Sequence, residues 1–290
     1  MVIFNDGGGY FLMLHSHRKT IIKLTIFSAI ILIFLYFTNN IYREKNNFQK
    51  QYFQIVDTEE IGNPTYLTNL YNQSDLLIRL NNFKDEMKNN SNFTYIEFSP
   101  VTLQFIGTWD KPLHLIENEV TVNQRIPFKD KEIEVTSIEG MMLDETCIEL
   151  YSLALESGEL FTANDFIQMN NELPLILGHD FKEYYSIGDT IPLLYYGQEW
   201  IGTVKGFLKE NQEIVQDSMI YPLDTKLLVP SFTETNLVNG FDETYQQMIM
   251  HSKLQGYVLL ENKEEYKAAK KEVETISKKY HLSYELLKGY

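Results

Sequence analysis

Ser74-Asp75-Leu76-Leu77-Ile78-Arg79-Leu80-Asn81-Asn82-Phe83-Lys84-Asp85-Glu86-Met87-Lys88, then Asn89-Asn90-Ser91-Asn92, then Phe93-Thr94-Tyr95-Ile96-Glu97-Phe98, reads as a helix, a stop and a strand. Leu76, Leu80, Phe83 and Met87 fall on one apolar stripe at the helical period. Ser74 is the expected N-cap. Asp75 near the start and Lys84 and Lys88 near the end suit the helix dipole. Four consecutive Asn and Ser residues stop the helix. In the strand, Thr94, Ile96 and Phe98 share one face, with Tyr95 and Glu97 on the other.

A second unit of the same kind closes the chain. Tyr257-Val258-Leu259-Leu260 reads as a buried strand and Asn262 as an N-cap. Tyr266, Ala269, Val273, Ile276 and Tyr280 form a helical stripe, and Leu282, Tyr284 and Leu286 alternate as a strand. Tyr66 to Leu70 reads as one further short strand ahead of the first helix. The two units, 66–98 and 257–287, can pair into one split α+β sheet with helices on one face, which resembles the ferredoxin-like arrangement. Residues 100–250 are strand-rich by contrast. Val101–Ile106 and Glu132–Ile138 alternate, Pro174–Leu177 is a short apolar run, and Ile191–Tyr196 and Trp200–Leu208 flank Gly197-Gln198-Glu199 as a hairpin. The expected class is therefore α+β: a split α/β subdomain at 63–100 and 251–290 around an inserted β-rich subdomain at 101–250.

Within that insertion lies an ordered series of turns. It runs Leu155-Glu156-Ser157-Gly158-Glu159-Leu160-Phe161, Asn164-Asp165-Phe166, Leu173-Pro174-Leu175-Ile176-Leu177-Gly178, Ile187-Gly188-Asp189-Thr190-Ile191 and Val204-Lys205-Gly206-Phe207-Leu208. The series resembles the extracytoplasmic domain of MacB/FtsX-type ABC transporter permeases, in which an α/β subdomain is split by a β-rich insertion. Glu159 stands where that family often has arginine. The resemblance implies a first membrane helix ahead of the domain and a cytoplasmic ABC ATPase as partner. It implies no chemistry in the chain itself: ATP hydrolysis in the partner moves membrane helices, and the outer domain moves with them. A family permease continues into three more membrane helices. None follows Leu286 before Tyr290, so a truncated permease or a single-anchor paralogue is expected, with further membrane helices supplied in trans.

The first helix is sought in Ile21–Phe37, the longest apolar run in the chain. With its flank to Thr38 it approaches the roughly 17–25 residues a spanning helix needs. Lys23 can snorkel to the headgroups, and Tyr36 and Tyr42 suit the opposite interface. Arg18, Lys19 and Lys23 put the N-terminal side in the cytoplasm by the positive-inside rule. The expected plan is a cytoplasmic tail at 1–20, a transmembrane helix at 21–38, a stalk or linker at 39–62, and the bulk of the chain outside a cell membrane crossed once. Met13 is a plausible true start, and Gly7-Gly8-Gly9 lacks the frame of a phosphate loop.

Charge excludes one class of partner. Residues 1–38 hold three basic residues and one acidic one, which leaves 22 Lys+Arg against 39 Asp+Glu beyond them. A nucleic-acid surface needs the opposite balance. Cys147 is the only cysteine, so no intrachain disulfide can form and an apolar core must hold the domain. High Asn, Lys and Ile content fits a low-GC bacterial source.

Side chains able to do chemistry are sparse. His15 and His17 lie in the basic tail. His179, Asp180 and Glu183 could form a metal or acid–base cluster but read better as a solvated turn, since metal sites need three or four converging ligands. Cys147 reads as a small buried residue. Ser157-Gly158 lacks a nucleophile elbow. Gly158, Gly178, Gly188 and Gly206 read as turn and strand-end glycines, with Asp165 and Asp189 accepting backbone hydrogen bonds in those turns. The 19 tyrosines and 18 phenylalanines read mainly as core. No catalytic, metal or cofactor-binding residue is assigned and no cofactor is expected. The leading reading is a non-enzymatic transporter component. A single-pass binding or sensor protein is the second, and an anchored hydrolase, which would need a cleft with converging titratable groups, the third.

Overall fold

The computed structural model describes residues 51–60, 63, 65–116, 121–167, 172–216, 219–232 and 243–287. In chain order the described elements begin with β1 (Gln51–Asp57), α1 (Tyr66–Tyr71), α2 (Leu76–Lys88), β2 (Thr94–Ile96) and β3 (Phe98–Ile106). They continue through β4 (Gln124–Phe128), β5 (Lys131–Leu143), α3 (Glu145–Tyr151), β6 (Leu155–Gly158), β7 (Glu172–Leu177), β8 (Thr190–Tyr195) and β9 (Gln198–Leu208). The last are β10 (Glu213–Gln216), β11 (Met219–Pro222), β12 (Leu227–Pro230), α4 (Glu243–Leu254), β13 (Tyr257–Leu260), α5 (Tyr266–Lys279) and β14 (Tyr284–Leu286).

Two ends of the chain build one small sheet. Its strand order is β14-β1-β13-β2, antiparallel throughout. On one face lie α2, α4 and α5. Leu76, Leu80, Phe83 and Met87 of α2, Met250 and Leu254 of α4, and Ala269, Val273 and Ile276 of α5 meet Phe53, Ile55, Val258 and Tyr284 in one buried cluster. Phe83 and Tyr284 stack with ring centroids 4.9 Å apart. The Arg79 guanidinium reaches across to the carbonyls of Tyr280 and His281 at 3.3 and 2.9 Å, satisfying the end of α5.

The middle of the chain closes on itself. Six strands run β12-β7-β9-β8-β3-β5, and β5 pairs in parallel with β12 to complete the ring. Alternation then sends every second side chain inward. Leu103, Ile138, Leu173, Leu175, Leu177, Ile191, Leu193, Trp200, Val204, Leu227 and Val229 form the interior, and Trp109, Leu115 and Phe181 join it. Gly140 and Gly202 face the same interior. A Cβ on either would lie 2.5 Å from a leucine methyl, Leu103 or Leu175, so their bareness makes room for those side chains. The hairpin strand β4 extends the ring beside β5, and β6 pairs with β9.

A third apolar cluster joins the two lobes. Ile176, Leu228, Met141 and Leu143, which point away from the ring's interior, meet Ile96 and Leu259 from the helix-free face of the small sheet. Cys147, Phe161, Phe166, Ile214 and Leu223 complete it.

Several sequence expectations shift. Gln51–Asp57 is a strand, where a linker was expected; its inward side ends on a carboxylate, Asp57, which disguises the Phe53, Ile55, Asp57 alternation. Tyr66–Tyr71 is helical, because Tyr66, Leu67, Leu70 and Tyr71 fit one helical face rather than alternation. The first residue of α2 is Leu76, with Asp75 rather than Ser74 at the N-cap position and no side-chain cap bond. Asn262 begins a 3-10 turn, and Glu265 is the residue before α5. The hairpin turn is Tyr196-Gly197, both at positive φ, rather than 197–199. Glu243–Leu254 is a helix packed on the small lobe, and its first eight residues fall inside the range 101–250 expected to be β-rich. No helix among the described residues is long and apolar enough to cross a membrane, and Ile21–Phe37 lies outside them.

Candidate functional site

Glu97 occupies the single residue between β2 and β3, where the chain leaves the small sheet for the ring. Its carboxylate is fully buried. Lys84 Nζ donates to it at 3.0 Å, and the Ser231 hydroxyl donates to the same oxygen. Asp144, after β5, accepts the Glu97 N–H at 3.1 Å and the Cys147 N–H at 3.0 Å, capping α3. Lys88 Nζ approaches Asp144 at 3.3 Å. Lys84 and Lys253 both donate to the Phe232 carbonyl at 3.4 Å, and Lys253 lies 5.1 Å from the centre of the Phe232 ring. Small-lobe helices thus supply the ammonium groups, and the strand ends of the ring supply their acceptors.

Electrostatics set the protonation of this cluster. Burial alone pushes the Glu97 carboxyl up, but the Lys84 and Lys88 charges and the Ser231 and Lys84 hydrogen bonds outweigh it and leave its pKa lowered. Asp144 goes the other way: burial, reinforced by the Glu97 charge, raises it against the pull of Lys88. Such a cluster adds little net stability over an apolar replacement. Removing one partner, however, leaves a buried charge unpaired at a cost of about 3–5 kcal/mol.

A second network opens onto a cleft. The buried Asp57 carboxylate accepts from His251 Nε2 at 2.9 Å, Tyr66 Oη at 2.9 Å and Ser283 Oγ at 2.7 Å. Burial raises the Asp57 pKa and these three donors, with the His251 charge, more than reverse it, so it is lowered. With Nε2 turned to Asp57, Nδ1 faces Tyr71, whose Oη lies 3.2 Å from it. The cleft beyond has a volume of about 260 Å³ and is lined in part by Glu60, Tyr71, Tyr196, Met248, His251 and Gln255. Tyr196 belongs to the ring's hairpin turn, and the other five belong to the small lobe.

Carboxylate, imidazole and hydroxyl in sequence are the parts of a nucleophilic relay, so the cleft with titratable groups expected of a hydrolase exists in outline. Its chemistry is different. The terminal hydroxyl is a phenol, and burial, then the Glu60 and Asp57 charges, push the Tyr71 pKa up to about 12, away from activation. The Ser283 hydroxyl bonds the carboxylate rather than the imidazole. The network orients side chains around a buried anion.

The residues singled out by sequence lie elsewhere. His179 Nδ1 is 2.9 Å from Glu156 Oε2 on a 3-10 turn, Asp180 is 3.9 Å from His114, and Glu183 is exposed. Among the described residues no three His, Cys, Asp or Glu are placed to hold a metal. His15 and His17 lie outside the described residues. Cys147 is buried and its thiol is pushed well up by burial and Asp144. Asp165 accepts from the Thr162 N–H at 2.6 Å and its hydroxyl at 2.8 Å and pairs with Lys205; Asp189 accepts the Ser186 N–H at 2.8 Å. Gly158, at φ +87, touches Lys205 and Gly206 so closely that a Cβ would lie 2.2 Å from a carbonyl oxygen.

Sequence reading missed Asp57, His251, Glu97 and Lys253 and assigned Lys84 and Lys88 to the helix dipole. A signal for Lys84 was present: it lies at i+4 from Leu80 and beside Phe83, on the apolar stripe rather than opposite it.

Neither a family model nor a curated protein matches the sequence. Among solved structures, the chain is similar to the extracellular domain of a noncanonic ABC-type transporter, YknZ, from Gram-positive bacteria. Identity is 13%, coverage is 82% of this chain and 100% of that one, and the TM-score is 0.38. It is also similar to the periplasmic region of MacB from Actinobacillus actinomycetemcomitans, at 13% identity, 83% and 90% coverage and a TM-score of 0.41.

Proposed function

We propose that residues 51–287 are the extracytoplasmic domain of an ABC transporter permease-like protein, without enzymatic activity of their own. The observation that carries this reading is the ordered turn series from Leu155 to Leu208, set in a strand-rich segment that interrupts a split α/β lobe. In this reading the β1-α2-β2 and β13-α5-β14 units form a ferredoxin-like lobe spanning 51–97 and 243–287, and 98–232 is the insertion. Ile21–Thr38 anchors the chain in a cell membrane with its N-terminus in the cytoplasm. A cytoplasmic ATPase and further membrane helices act in trans, and motion of the anchor reaches the outer domain through the small lobe, in export or in envelope mechanotransmission. No cofactor, metal or nucleic acid takes part.

The Glu97–Lys84–Asp144–Lys88 cluster, buried but for Lys88, supports such a role, since it fixes one arrangement of two lobes through directional bonds. The test is affinity purification of the tagged full chain from native membranes. Recovery of an ABC ATPase with it is expected. Recovery of the chain alone would leave the second reading, a single-pass binding or sensor protein, which the cleft at His251 favours.

A further inference from the structure

The cleft between the lobes has a consistent chemistry. Among its described lining residues none is Lys or Arg. Glu60 stands at its rim, its carboxylate oriented by Gln255 Nε2 at 2.9 Å. Behind His251 lies a second carboxylate, Asp57. Both carboxylates raise the Tyr71 pKa after burial has done so, so the potential at that phenol is negative. Two tyrosines, Tyr71 and Tyr196, supply aromatic rings whose quadrupoles attract cations.

Tyr196 has a further peculiarity. It holds φ +49 at the first position of a two-residue hairpin turn, a place where Asn, Asp or Gly is favoured and a bulky residue is strained. Strain of this kind gathers where a side chain is needed in a fixed place. Here it puts a ring of the barrel lobe into a cleft otherwise contributed by the small lobe. At about 260 Å³ the cleft falls just below the usual range for ligand sites of roughly 300–1,000 Å³. It suits an amine of a few carbons.

We propose that this cleft binds a small organic ammonium ion, held by the Glu60 carboxylate and the rings of Tyr71 and Tyr196. A ligand there touches both lobes and therefore favours the arrangement in which Tyr196 meets the small lobe. The excess of 39 Asp+Glu over 22 Lys+Arg beyond residue 38 raises the local concentration of such cations.

The test is calorimetric titration of the detergent-solubilised full chain with 1,5-diaminopentane, against 1,5-pentanediol as the neutral match. Saturable binding of the diamine and none of the diol is expected. Glu60→Gln and Tyr196→Ala should each weaken binding about tenfold, whereas Glu213→Gln, on an exposed position of β10, should not. Circular dichroism checks that the variants fold, and Glu60→Gln decides if Tyr196→Ala does not. Equal binding of diol and diamine, no saturation by about 10 mM, or full affinity in folded Glu60→Gln would overturn the proposal. None of these outcomes depends on whether an ATPase co-purifies.

Discussion

The two lobes are packed on opposite principles. The ring encloses leucines, isoleucines, valines and tryptophans in a closed interior. The small lobe borders its core with ionisable groups: Lys84, Lys253, Asp57 and His251 are all nearly inaccessible there. Apolar packing tolerates many arrangements of similar volume, whereas a buried ion pair tolerates few. The ring's shape is secured by strand closure and needs no such specificity. The small lobe, assembled from two distant stretches of chain, has its halves and its neighbour registered by named bonds.

Removing one ion should give the largest effect. Lys84→Met leaves Glu97 buried with its nearest cation gone, and a loss of about 3–5 kcal/mol is expected in urea unfolding. The double variant Lys84→Met, Glu97→Leu should recover much of it. A single-variant loss below about 1 kcal/mol would mean that water reaches the pair.

Leu175→Ala tests the opposite packing. It points into the ring against Gly202 and is fully buried, and a cost of about 2–5 kcal/mol is expected. Both tryptophans of the chain, Trp109 and Trp200, lie in the ring cluster, so tryptophan fluorescence reports on that lobe alone. The transition it follows should move in Leu175→Ala more than in Lys84→Met.

Acid should separate the lobes. The folded pKa values of Asp57 and Glu97 are lowered, so the stabilisation they provide is complete above the unfolded value of about 4 and is lost as pH falls through the folded values. Asp144, raised, contributes in the opposite sense as pH rises. Hydrogen exchange in α5 and β14 is therefore expected to open at a higher pH than the change in tryptophan fluorescence. Simultaneous opening would show that the lobes unfold as one unit. Tyr66→Phe, which removes one of the donors to Asp57, should cost about 1 kcal/mol at neutral pH and move that acid limb upward. The smallest effect belongs to Gly188→Ala, where φ is +89 but nothing lies within 4 Å: backbone strain of about 1 kcal/mol, read as a small shift in the fluorescence transition.

What the sequence made legible follows the same division. Alternation is plain where one face of a strand is less buried, as over Trp200–Lys205 of β9, and α2 and α5 carry plain stripes. β1 and α4 were hidden because their buried faces include Asp57, Gln246, Gln247, His251 and Lys253. A pattern that counts only apolar residues reads these as solvated surface. The cleft was illegible for the same reason. Its members come from residues 60, 71, 196 and 248–255, which nothing in their local spacing brings together. Closure of the ring by β5 and β12, joined across the span from Gly140 to Leu227, likewise leaves no local trace.

The pairing of β1 has a consequence for the order of events during synthesis. Its described strand partners are β13 and β14, which begin at Tyr257 and Tyr284. Every strand of the ring is complete by Pro230. A chain emerging from its N-terminus therefore holds β1 without a neighbour while the whole insertion is made. Rapid folding of the ring brings residues 98 and 230 together and shortens the gap that β1 must bridge. Slower translation across 231–256, after the last ring strand and before β13, should raise the yield of folded chain, and a ring destabilised by mutation should release its damage in the small lobe, as misfolded β1.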